Sequence, residues 1–338
     1  MKKGFTLIEL LMVVALIAIV STLAVNKLGG VRETAARKVS LANQKAVERA
    51  VEAYLANGGR LSRLDSLVYA GDGGRPLAGS NEGEIDFSNA SAKANGQGTD
   101  ASDADWLYMG PKEDDADGAY RDRFNAGLAP ELRKILCKFT LDKVQADALN
   151  VRLGLRHVMS ATAWADAAGT DFPGRHYNRD RAYGDGTVPN ASDGLDPNDS
   201  FCVATILTNG MVVAAVNPMT DLGRTVYQAC GQELMNTKNW GESYTEGEVR
   251  AELAANGGPL LAFGLGDGAS IVGKADAGLD SVPSATFAEK RYYSRYVLLF
   301  RLKTIGSGSV SQTLPEFAGV IDCEGNTVRA AEHIVKRM

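Results

Sequence analysis

The sequence predicts an α+β protein: one long N-terminal helix, then a strand-bearing globular head with additional helices and long Gly/Asp-rich loops. Three observations carry this. Residues 7–25 are almost wholly apolar, and a helical pattern continues past them to about Ala56. Two apolar, β-rich runs between Phe201 and Val216 flank Thr208-Asn209-Gly210, and Asn-Gly between such runs is the strongest short hairpin signal. The 37 glycines and the many Asp and Asn point to long turns.

The first element is the apolar run. Phe5 to Val25 is 21 residues, which as a helix spans roughly 32 Å, the thickness of a bilayer's hydrocarbon core. Lys2 and Lys3 precede it, so the positive-inside rule places the N-terminus in the cytoplasm and everything after Val25 on the far side. Glu9 stands near the start of the run, where a charge costs about 2.5–3.5 kcal/mol on insertion scales. An ordinary secretory signal, cut near Ser21-Thr22-Leu23-Ala24, fits poorly. The run is longer than the usual 7–15 residues of a signal core, Glu9 interrupts it, and the helical pattern does not stop after it. A plain membrane anchor leaves Glu9 unexplained.

The second element is the polar continuation, residues 26–56. Ala46, Val47, Ala50, Val51 and Tyr54 fall at helical spacing and predict an apolar stripe lying on a globular domain, with Glu48 and Glu52 on the opposite side. Asn57-Gly58-Gly59 reads as the stop, because these residues favour the left-handed cap conformation. Gly29-Gly30 marks the junction of the two halves. Each glycine costs roughly 1 kcal/mol against alanine in a helix, so the pair reads either as a point where the helix can bend or melt, or as a tolerated flaw.

Lys2-Lys3-Gly4-Phe5-Thr6-Leu7-Ile8-Glu9-Leu10, followed by an unbroken apolar helix, resembles the N-terminus of type IV pilin-like proteins, the pilins and the pseudopilins of type II secretion. The resemblance covers residues 1–56 and says nothing of the rest. It implies a leader at residues 1–4, cleaved after Gly4 by a prepilin peptidase, and N-methylation of the new first residue, Phe5. It implies a membrane-spanning and filament-core helix at residues 5–25, an amphipathic half at 26–56 and a head at 57–338. It also implies a role for Glu9. The cleaved Phe5 bears a free amine, and a buried carboxylate is tolerable when paired with a cation. Pairing Glu9 with the Phe5 amine of a neighbour would set the register of subunits in a filament, in the way buried polar pairs fix register elsewhere. The implied partners are other pilin-like subunits, the prepilin peptidase, an inner-membrane assembly platform and membrane lipid. The implied location is the inner membrane with the head periplasmic, then a surface or periplasmic filament.

The head, residues 57–338, is long enough for a sizeable core. Residues 57–127 read as loops with short strands around Leu67-Val68-Tyr69 and Trp106-Leu107-Tyr108, residues 129–168 as one or two helices, and residues 169–200 as a polar loop. Residues 201–216 read as a hairpin, and Tyr292–Leu302 and Glu316–Ile321 as further strands, the last ending at Glu324-Gly325-Asn326. The formal net charge is −5, and loss of Lys2 and Lys3 with the leader makes it −7. That balance argues against a nucleic-acid surface, and no nucleic-acid partner is expected.

Candidate sites in the head are few. Four cysteines, Cys137, Cys202, Cys230 and Cys323, allow three pairings; Cys202–Cys230 closes the shortest loop and leaves Cys137–Cys323, against the alternative of buried thiols. The loop 171–199 gathers Asp180, Asp185, Asp193, Asp196 and Asp199, oxygen donors of the kind calcium takes, in a spacing that matches no EF-hand and that a solvated turn-rich loop also produces. Calcium is therefore a candidate and no other cofactor is expected. His157, His176 and His333 are scattered, with no zinc-type pair. Phe263-Gly264-Leu265-Gly266-Asp267-Gly268 lacks the spacing of a dinucleotide loop and reads as a turn, and neither a GxSxG elbow nor a P-loop occurs. With no catalytic constellation, the expectation is a non-enzymatic filament subunit. The alternatives are a type II secretion pseudopilin, and a ligand-binding or enzymatic module displayed on a pilin-type anchor.

Overall fold

The computed structural model describes residues 7–68, 85–86, 128–162, 175–178, 181–182, 201–232, 234, 246–266, 269–274, 278–279, 285, 295–305 and 312–337. One helix, α1, runs unbroken over Leu7–Ala56, about 75 Å of rise. It stays helical through Gly29-Gly30, and it stops where expected. Gly58 takes φ 79°, and the Gly58 and Gly59 amides donate back to the carbonyls of Leu55 and Tyr54 at 3.0 and 2.8 Å. Side chains of α1 are described from Val31 onward, past the apolar run; among the described residues no helix is long and apolar enough to cross a membrane.

The head is a mixed sheet of eleven described strands with helices packed against it, so the α+β class holds. In chain order come β1 (Arg63–Asp65), β2 (Ile85–Asp86), α2 (Pro130–Ile135), β3 (Leu136–Thr140), α3 (Lys143–Ala148) running into a π turn at Leu149–Leu153, and β4 (His157–Thr162). Then follow β5 (Arg175–Asn178), β6 (Arg181–Ala182), β7 (Phe201–Ile206), β8 (Val212–Val216), α4 (Asp221–Ala229) and α5 (Glu246–Ala255). The chain closes with β9 (Leu260–Gly264), β10 (Val297–Ile305), β11 (Gln312–Ile321) and α6 (Val328–Arg337).

The sheet is organised around β9, whose five residues are all buried. One edge of β9 pairs antiparallel with β10, which pairs with β11. Its remaining pairings are with β8, leading to β3 and β2, and with β1, which runs parallel to β4 and leads to β7, β5 and β6. Phe263, Phe300 and Phe317 stack edge to face across β9, β10 and β11, with ring centroids 6.1 and 5.7 Å apart, a geometry aromatic pairs favour. A register shift between Leu299 and Phe300 leaves Ala318 of β11 as the extra residue of a bulge, next to Gly319. Gly319 has φ 149°, and a Cβ there would meet Glu48 Oε1 of α1 at 3.3 Å, so the glycine lets helix and strand approach closely.

Three expectations are corrected. The block 129–168 is not purely helical: α2 and α3 are short, and β3 and β4 lie within it. All five β3 residues are buried and pair with β8, so sheet pairing overrides the helical spacing. The turn at 208–210 forms, with Gly210 at φ 76° and the Met211 amide donating to Thr208 O at 3.3 Å, but β7 and β8 do not pair with each other. Each is drawn off by the chain beside it: Leu207 N donates to Arg156 O at 2.8 Å, and Leu141 N to Met211 O at 2.9 Å. Third, Cys137, Cys230 and Cys323 are thiols, so neither Cys137–Cys323 nor Cys202–Cys230 is bridged. Cys137 is committed to the sheet interior, where its Sγ lies 3.5 Å from Ala215 O, and burial pushes the Cys230 thiol up to about 12.

Candidate functional site

Gly4 and Phe5 lie ahead of the described residues, and Glu9 is the third residue of α1. The aspartates of the candidate calcium loop, Asp180, Asp185, Asp193, Asp196 and Asp199, lie outside the described residues. The structure builds in detail the seam where the second half of α1 meets the head, beginning about 45 Å along the helix axis from Glu9.

The buried stripe of α1 is Ser40, Gln44, Val47, Val51 and Tyr54. Its steps of four, three, four and three residues keep one face toward the head. Val47, Val51 and Tyr54 enter the hydrophobic core, and Ala50 packs against it, as the spacing predicted; Ala46 is exposed instead. Glu48 is a further departure. It sits half-buried at the edge of the stripe, accepting a backbone hydrogen bond from Val320 of β11, and desolvation and then Glu52 hold its carboxyl above the ordinary range.

Upstream the same stripe turns polar. Tyr296 Oη donates to the Ser40 carbonyl at 2.8 Å and lies 3.0 Å from Ser40 Oγ. A phenol has one hydrogen, so Ser40 Oγ is the donor in the second bond. Gln44 Nε2 donates to the carbonyls of Val320 and Asn326, both at 2.9 Å, which uses both amide hydrogens. Carbonyl acceptors in the head thus fix the rotation and height of α1, since a one-residue slip would orphan them.

Asp322 holds the turn that presents one of those carbonyls. Its Oδ1 accepts from the amides of Glu324 and Asn326 at 2.9 and 2.8 Å, and its Oδ2 from Asn326 Nδ2 at 3.1 Å. The carboxyl is 3% exposed, and burial pushes it up to about 6 against the pull of those hydrogen bonds. Around the turn, Arg37 pairs with Glu324 and with Glu33, each at 3.2 Å, and Lys45 pairs with Glu332 of α6. Burial with fixed hydrogen bonds makes this arrangement a clamp: it holds a helix to a head and presents no activated nucleophile.

The sequence carried a signal for the clamp. Ser40 and Gln44 continue the period of Val47, Val51 and Tyr54, but polar residues in a helical stripe read as solvent-facing unless a partner is known. Asp322 had no such signal beyond its place before a Gly-Asn turn, and α6 was not anticipated.

Residues 1–25 match the family model of the prokaryotic N-terminal methylation motif. The chain carries a prepilin-type N-terminus. This motif marks pilin- and pseudopilin-type proteins, whose precursors are processed by prepilin peptidase and which assemble with other pilin-like subunits. The prepilin-type segment and the clamp lie on one helix. No curated protein and no solved structure matches the chain.

Proposed function

We propose that this chain is a non-enzymatic structural subunit of a type IV pilus or pseudopilus. The observation that carries the reading is the union, in one helix, of a prepilin-type motif and a half that is clamped to a folded head. A subunit built this way transmits the position of its N-terminal segment to its head without slack. Cleavage after Gly4 leaves Phe5 as a methylated N-terminus. Residues 5–25 hold the precursor in the inner membrane, with the head on the periplasmic side. Glu9 pairs with the Phe5 amine of a neighbour during assembly.

Mass spectrometry of the membrane-associated protein tests this directly. The expected N-terminus is Phe5 carrying one methyl group, and Gly4 replaced by a bulky residue leaves the leader in place. An N-terminus near Val25 would overturn the reading, because the apolar run would then be a removed signal. Pilus and secretion pseudopilus share this chemistry and are separated by which assembly genes lie beside this one.

A further inference from the structure

An open groove of about 440 Å³ lies against the head beside residues 33–37 of α1. Its floor is apolar, with Leu222 and Val226 of α4 and Ile334 of α6. Leu222 is 55% exposed, unusual for a large apolar side chain beside a concavity. The rim is acidic: Glu33, Glu131 and Glu324 line it, and among the described residues its guanidinium, Arg37, is already engaged with Glu33 and Glu324.

The complementary surface is on the same chain. The face of α1 turned away from Ser40, Gln44 and Val51 carries Val31 and Val39, 66% and 50% exposed. Lys38 and Arg49 are exposed on that face with Arg32 at its edge; Glu52 is the exposed carboxylate among them, one turn beyond Arg49, whereas Glu33 and Glu48 lie toward the other side of the helix. An apolar groove with an acidic rim thus has its counterpart in an apolar helical face with basic flanks. The two cannot meet within one molecule, because residues of α1 itself form one wall of the groove.

We propose that the groove receives the outward face of α1 from a second copy of this chain, with Val39 toward Leu222 and Lys38 toward the rim carboxylates of Glu131 and Glu324. Such a contact joins two different patches, so it is heterologous and propagates into an open array. It rests on the filament reading only for bringing copies together in one membrane; the charge match stands apart from it.

The test uses two differently tagged full-length copies expressed together, one carrying Leu222→Cys and the other Val39→Cys, treated with a short bis-maleimide. The expected result is a cross-link between the two tags that neither single variant gives. Glu131→Lys on the first copy should lower its yield about five-fold, the scale of one exposed charge pair, and Lys38→Glu on the second should restore it. Absence of the cross-link in copies that still co-purify overturns the proposal, as does capture of Leu222→Cys by a different protein. The N-terminus is measured in the same sample. Processing to Phe5 without the cross-link removes the groove assignment and leaves the filament reading standing; a missing Phe5 terminus removes the filament reading itself.

Discussion

A buried carboxyl that must fold charged resists folding, and Asp322 is such a group. In the unfolded chain it titrates near its ordinary 3.8; in the fold burial pushes it up to about 6. Between those values the native state binds more protons than the unfolded state. The contribution of Asp322 to stability is therefore full below about pH 4 and is lost as pH rises through 6, the reverse of the usual paired aspartate. Glu48, also held upward by desolvation, adds to the same sign. Melting temperatures of the full chain in detergent, taken from pH 4 to pH 7.5, should show this fall, and Asp322→Asn should flatten most of it. An Asp322→Asn variant with an unchanged slope would mean that the carboxyl is not charged and buried as its hydrogen bonds indicate. Gln44 makes the contrasting case: a neutral amide with both hydrogens used adds rigidity with no pH dependence.

At the scale of elements, what could be read from sequence was what local periodicity decides. The end of α1 was legible because Asn57-Gly58-Gly59 cannot continue a helix cheaply, and Val47, Val51 and Tyr54 were legible because their spacing repeats. Leu136–Thr140 was not, since its helical spacing is compatible with α2 and only pairing with β8 makes it a strand. The 208–210 turn is legible while the partners of its arms are not, because turn chemistry fixes a reversal and leaves open which strand lies beside each arm. The bulge beside Gly319 has no sequence signature beyond one glycine, yet it sets how closely β11 meets α1. Gly319→Val places a branched Cβ at φ 149° and against Glu48, a conformational cost of roughly 1–3 kcal/mol. Hydrogen exchange should then quicken in β11 and in α1 from Gln44 to Tyr54, while β4 and β7 keep wild-type protection. Uniform quickening would point to a general loss of stability instead.

For the whole molecule, the distance between the two ends of α1 separates folding from assembly. The first buried clamp residue, Ser40, stands 31 residues beyond Glu9. A change at Glu9 therefore lies well away from the described clamp contacts of Ser40 and Gln44. Glu9→Gln keeps shape and hydrogen bonding but removes charge; Glu9→Leu removes both. If Glu9 pairs with the Phe5 amine of a neighbour, both variants should fold, insert and be cleaved after Gly4, while their share in sheared filaments drops sharply against their share in membranes. Insertion should become easier, because a charge has left the apolar run. That opposition of sign distinguishes a register device from a stabilising contact: a stabilising residue would lower the membrane pool and the filament pool together. Wild-type yields of Glu9→Leu filaments would show that the carboxylate does not set the register, and its presence in an apolar helix would then need a different partner.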